Sequence, residues 1–301
     1  MCKSTVYFCP RINAVNLIKV FKALGKEPKG RVAVKLSTGE AGNPNHLSTD
    51  VIKALVHLVD GTIVECNTAY EGRRMNVQDH LQTAAEHGFT AIAEVDIMDA
   101  EGDVALPVKN GKHLKENYIG KNFLDYDFTM VLSHFKGHPM AGFGGALKNV
   151  AIGIASSAGK AWIHTAGKSR SLPVDWDNVP PQEDFLESMA EACEAVFDHT
   201  GDNIIYINVA NNLSVDCDCC ADPEPIKMAD IGIFASLDPV AVDRACIDAV
   251  YSSDDPGKIH LISRIKERNG EYLLKYAEEL GLGRNDYQII TIDPDAPDEK
   301  I

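Results

Sequence analysis

Two hydrophobic periods alternate along this chain. Ala14–Leu24 (AVNLIKVFKAL) places apolar residues at helical spacing, with Gly25 and Pro28 to stop it, and Arg31–Ser37 (RVAVKLS) is a compact buried-strand run. An amphipathic helix over about 48–59, a strand at Thr62–Cys66 (TIVEC) and a helix over about 77–87, ended by Gly88, repeat the alternation. A short strand over 94–98 precedes a Gly-, Lys- and Asn-rich stretch read as a small β insertion near 99–122. Phe128–Leu132 (FTMVL) returns to the sheet, a helix begins in 146–155, and another lies within 180–200, with acidic residues in its first turn and Gly201 after its end. Asn203–Asn211 (NIIYINVAN) is a strand, IKMADIGIFAS holds the next, and Asp238 with Pro239 supplies an N-cap and first helical position. Two further helices and a last strand, YQIITID, finish the pattern. Strands alternating with helices predict an α/β fold, a doubly wound, mostly parallel sheet with helices on both faces. The expectation is one domain over 1–301, the alternative being two lobes of about 1–125 and 126–301.

In such a sheet, ligands bind outside the carboxyl ends of the strands, so the strand exits are the places to search. The richest is Ser133–Asn149 (SHFKGHPMAGFGGALKN), between the FTMVL strand and the next helix. Gly142, Gly144 and Gly145 allow close backbone approach to a ligand, while Lys136 and Lys148 add positive charge and His134 and His138 titrate near neutrality. A tight turn explains the glycines equally well, and Gly137 and Pro139 argue against the helix that a His134/His138 metal pair would need. A second basic, glycine-bearing stretch, Ser156–Arg170, carries Lys160, His164 and Lys168. Arg73 and Arg74, at the exit of TIVEC, form either an anion clamp or, more commonly for such a pair, a solvated surface.

The remaining chemistry sits after NIIYINVAN, where Cys217, Cys219 and Cys220 lie among Asp216, Asp218 and Asp222. Their C-x-C-C spacing is neither that of zinc ribbons nor that of ferredoxins. Metal or cluster binding, direct contact with a redox cofactor, and plain packing all remain open. The aspartates are expected to raise the thiol pKa, which counts against an activated nucleophile.

Charge narrows the partners. Among 301 residues, 29 Lys and Arg face 44 Asp and Glu, a net of −15, so the chain as a whole repels nucleic acid and anionic membranes. An anionic ligand must then find a locally basic pocket, which the middle third offers. No apolar run reaches the length of a membrane span and the first residues lack a signal-peptide core, so a cytoplasmic location is expected. Eight cysteines are too sparse for a disulfide scaffold of this size.

The ordered trio of SHFKGHPMAGFGGALKN, a strand exiting into CDC, and DIGIFASLDPVAVDRA resembles the domain-of-unknown-function family 362, over roughly 31–251. Members of that family are commonly labelled iron-sulfur proteins. The resemblance implies an α/β fold and a redox role in an anaerobic or low-potential pathway, with a ferredoxin-like electron partner. This chain has no C-x-x-C-x-x-C-x-x-x-C-P segment, so flavin mononucleotide becomes the favoured cofactor. Its phosphate is expected on backbone N–H groups in the Gly142–Ala146 stretch (Gly142, Phe143, Gly144, Gly145), with Lys148, Asn149, Lys160 and His164 around it. The catalytic groups would be His134, Lys136 and His138. One alternative is an iron-sulfur cluster or other metal on Cys217, Cys219 and Cys220, with Cys66 or His134 as a fourth ligand. Another is a non-redox binder or hydrolase of a phosphorylated small molecule.

Overall fold

A computed structural model describes residues 3–296. Its strands, in chain order, are β1 (Ser4–Cys9), β2 (Val32–Lys35), β3 (Gly61–Glu65), β4 (Val95–Ile97), β5 (Asp103–Pro107), β6 (Glu116–Gly120), β7 (Phe128–His134), β8 (Lys136–His138), β9 (Gly142–Gly144), β10 (Ile204–Ala210), β11 (Gly232–Ser236) and β12 (Tyr287–Thr291). The helices are α1 (Ala14–Ala23), α2 (Thr49–Leu58), α3 (Val77–Glu86), α4 (Ala146–Ile154), α5 (Ser157–His164), α6 (Gln182–Thr200), α7 (Pro239–Ser252), α8 (Lys258–Glu267) and α9 (Glu271–Glu279).

Eight strands form one sheet in the order β12-β1-β11-β10-β7-β2-β3-β4, in which only β11 runs against the rest. The fold is thus the mostly parallel α/β sheet that the alternating pattern predicts. Side chains on successive strand residues point to opposite faces, so Val131 packs on one face while Met130 and Leu132 pack on the other. Helices α4, α6 and α7 cover the first face, and α1 and α2 the second. Strands β2 and β7 are neighbours although about a hundred residues separate them, so both halves of the chain share the central sheet. The stretch read as an insertion contains the antiparallel pair β5–β6. No helix among the described residues is long and apolar enough to cross a membrane.

Three elements depart from the expected pattern. Strand β1 pairs with β11 and β12, although its short sequence gave no helix-strand contrast to mark it. The Ser156–Arg170 stretch contains a helix, α5, capped by the Ser156 hydroxyl accepting from the Gly159 amide. The glycine-rich stretch after β7 folds back on itself as the hairpin β8–β9.

Helix α4 begins where that hairpin ends, and the Asp243 carboxylate on α7 accepts the amides of Ala146 and Leu147 at 2.7 and 3.0 Å. The Asn208 side chain donates to the same carboxylate at 2.7 Å. Gly145 is needed here, since a Cβ would lie 2.3 Å from an Asp243 oxygen. Burial still pushes the Asp243 carboxyl up, from 3.8 to about 6, against those donors. A raised folded-state pKa means that folding takes up a proton between these two values, so this group's contribution falls as pH rises through that window. Relative to Asp243→Asn, the native protein is expected to lose about 3 kcal/mol of stability across it, measured from urea unfolding midpoints at several pH values.

Candidate functional site

The carboxyl ends of β2, β3, β7 and β10 open on one cavity of about 370 Å³. Ser133–Asn149, Ser156–Arg170 and the cysteine segment all contribute to its wall. Segments distant in sequence meet here because parallel strands deliver their exits to the same edge of the sheet.

Two buried ion clusters frame the cavity. In the first, Asp218 takes His134 Nδ1 and Lys136 Nζ, both at 2.7 Å. Burial disfavours the Asp218 charge, yet His134 and Lys136 hold its pKa below the usual range. His134 Nε2 meets the Asn211 carbonyl at 2.6 Å, so both ring nitrogens face oxygen atoms. In the second cluster, Glu65 lies 3.1 Å from His80 Nε2, 3.6 Å from Arg74 Nη1 and 3.9 Å from Lys35 Nζ. Burial works against the Glu65 charge as well, and these partners bring its pKa well below normal. Burial pushes Lys35 down to about 8. Lys35 also donates to the Asn149 side-chain oxygen at 3.0 Å while Asn149 returns a bond to the Lys35 carbonyl, tying β2 to α4.

Between the clusters lies the sulfur group. One ligand atom from each of His138, Cys217 and Cys219 falls within 4.8 Å of the others, the spacing of a metal-binding group. Cys219 donates to Cys217, and with Lys148 and His138 alongside, this lowers the Cys217 pKa well below an ordinary thiol in spite of burial. The same contact raises Cys219. Lys148 Nζ stands 3.7 Å from the Cys217 sulfur. His138 Nδ1 accepts the amides of Met140 and Ala141 at 3.1 and 2.9 Å, which leaves the ring proton on Nε2. Backbone bonds steady the segment: the Asn43 side chain donates to the Cys217 and Cys220 carbonyls, and the Glu40 amide to that of Asp218. Gly137 lets β8 lie against it, because a Cβ there would come within 2.3 Å of the Val215 carbonyl oxygen.

A family model described as Domain of unknown function (DUF362) matches residues 32–248. The chain belongs to this family. The matched region runs from β2 almost to the end of α7 and carries the whole cavity wall, leaving β1, α1, α8, α9 and β12 outside it. No curated protein matches the chain significantly. Among solved structures, the lactate racemase apoprotein from Thermoanaerobacterium thermosaccharolyticum is similar at 13% identity and a TM-score of 0.45, over 81% of this chain and 56% of its own. A structural-genomics protein from Thermotoga maritima is similar at 15% identity and a TM-score of 0.45, over 79% of this chain and 58% of its own. The chain therefore spans less than two thirds of either protein's length.

Within this DUF362 chain, Gly144, Gly145, Lys148, Asn149, Lys160 and His164 line the cavity, as do His134, Lys136, His138 and the three clustered cysteines. Gly142 and Phe143 do not: Phe143 is fully buried against Phe135, and Gly142 packs on the Ile265 and Gly270 backbone. The phosphate seat expected on the amides around Ala146 is likewise corrected, since Asp243 already takes the Ala146 and Leu147 N–H groups. Cys220 lies outside the close group and His138 stands in it. Cys66 is turned to the Ile154 carbonyl, with its thiol pKa raised by burial. The expected effect of the aspartates on the thiols is reversed for Cys217, because Asp218 is spent on His134 and Lys136 while cations and a thiol donor face the sulfur. Arg73 is an exposed partner of Glu86, whereas Arg74 is buried with Glu40 and Glu65. Tyr70, at the exit of TIVEC that the sequence pointed to this edge, lines the cavity, and so do Lys35 and Glu65, for which one lysine and one glutamate inside short apolar strands were the available signal.

Proposed function

We propose that Cys217 and Cys219 form the working centre of this protein, a pair of thiolates that holds one soft metal ion at the wall of a small-molecule cavity. The reading is carried by the close sulfur pair, whose first member has its pKa lowered by a thiol donor and nearby cations. Thiolates select soft or borderline ions such as zinc or copper(I). His138 directs a protonated ring nitrogen into the group, so it is assigned to donating towards sulfur, with the ion held by the two cysteines. An ion bound there would act as a Lewis acid on a substrate oxygen in the cavity. Metal analysis of anaerobically purified protein is expected to find about one equivalent, and Cys217→Ser with Cys219→Ser to abolish it. Cobalt(II) titration giving sulfur-to-metal absorption in the native chain and none in the double variant would agree. Equal metal uptake by both would sink the proposal.

The depressed Cys217 pKa favours a second reading, a dithiol oxidoreductase. The Cys217 thiolate would attack a small disulfide and release one thiol. Cys219 would then displace the second thiol, leaving a Cys217–Cys219 disulfide and a reduced substrate. Turnover of a small disulfide by the metal-free protein with an external dithiol as reductant, lost in Cys219→Ser, would support this reading, whereas single stoichiometric oxidation of the pair is expected of any metal-stripped dithiol.

A further inference from the structure

The cations of the cavity do not balance. Lys35 faces Glu65, Arg74 faces Glu40 and Glu65, and Lys136 faces Asp218. Lys148 and Lys160 also line the wall, yet neither has a carboxylate within 4.0 Å among the described residues; Lys148 has the Cys217 sulfur at 3.7 Å in place of one, and Lys160 has no such partner. Asp99, a carboxylate close to Lys160, is directed to the amides of Asn67 and Ser157 instead. Lys160 is 7% exposed. It donates to the carbonyls of Ala155 at 2.6 Å and Cys66 at 3.4 Å, which leaves one of its three N–H groups for a ligand. A buried ammonium without a counter-charge is costly to keep, and a bound anion removes that cost.

We infer that Lys148 and Lys160 form an anion subsite beside the sulfur pair, made for a small molecule that carries two negative charges, as a phosphate monoester or a dicarboxylate does. A cavity of about 370 Å³ suits a small molecule. At its wall stand Trp176, 42% exposed and edge-on to His164 at 5.4 Å, and Met140. These two offer apolar surface to the organic part of the ligand. The inference rests on the cavity being a substrate site, as proposed above, and is independent of the metal.

Titration calorimetry on the metal-stripped, reduced full chain provides the test, with inorganic phosphate, malonate and neutral malonamide as probes. At least one of the two dianions is expected to bind and malonamide to give no heat. Lys148→Met and Lys160→Met should each weaken binding about tenfold or more, the loss of one charged hydrogen bond. Lys160 also ties two backbone segments together, so circular dichroism must confirm the fold of its variant, and Lys148→Met carries the test if that variant unfolds. Failure of both dianions to bind the native chain, or native affinity in a folded Lys148→Met protein, overturns the inference. The same titration on Cys217→Ser with Cys219→Ser separates the two proposals: undiminished anion binding with loss of metal supports both, and undiminished anion binding with metal retained defeats only the sulfur centre.

Discussion

Asp218→Ala is expected to destabilise the protein by about 3–5 kcal/mol, the usual cost of stranding buried charges, seen as a lower urea midpoint. Asp218 is 1% exposed and is the carboxylate partner of both His134 and Lys136. Its removal leaves the buried Lys136 ammonium and the His134 ring without their carboxylate partner. The damage extends to the site, since Asp218 lies between Cys217 and Cys219 and latches their segment to β7 and β8. Adding Lys136→Met strands one donor fewer, so the double variant is expected to regain part of the loss. A single variant as stable as the native chain would contradict this account. The same contacts set a pH dependence: because the folded-state pKa of Asp218 is depressed, its stabilisation is present above the ordinary carboxylate range and is lost as pH falls through the depressed value.

The second large effect is on sulfur reactivity. At pH 6 an ordinary thiol is less than about 1% ionised, whereas Cys219, Lys148 and His138 lower the Cys217 pKa well below the ordinary thiol range and so raise its thiolate fraction. Labelling with a small methylthiolating reagent, followed by peptide mapping, is expected to modify Cys217 about tenfold faster than Cys220 at that pH. Burial and the weaker intrinsic nucleophilicity of a low-pKa thiolate keep the ratio below the ionisation difference. Lys148→Met should remove much of the advantage, because the Lys148 ammonium at 3.7 Å is one of the charges that favour the thiolate. Equal labelling of Cys217 and Cys220 at pH 6 would remove the activated thiolate from both functional readings.

Much of the architecture was legible in the sequence. Helical and strand periods located β2, β3, β7, β10 and most helices, since those periods follow from local backbone geometry. The topological rule for parallel sheets then pointed to the strand exits, and the ordered trio of motifs pointed to the family. Strand β1 was harder to see because its pairing with β11 and β12, more than two hundred residues away, is what makes it a strand. The β8–β9 hairpin was missed because glycine-rich sequence carries almost no hydrophobic pattern.

Residue identity and spacing along the chain thus determined the α/β fold, the edge of the sheet that carries the chemistry, and the donors gathered there. Only the tertiary structure decided how each donor is used. Asp243, about a hundred residues downstream, closes the start of α4 to an outside anion, and Asp218 turns to His134 and Lys136 instead of the thiols. His138 joins Cys217 and Cys219 while Cys220 stays apart. The physical reason is that periodicity records which face a side chain shows, whereas its charge state and function depend on the partner brought against it from a distant segment. That pairing is created when the strands assemble, and no local pattern encodes it.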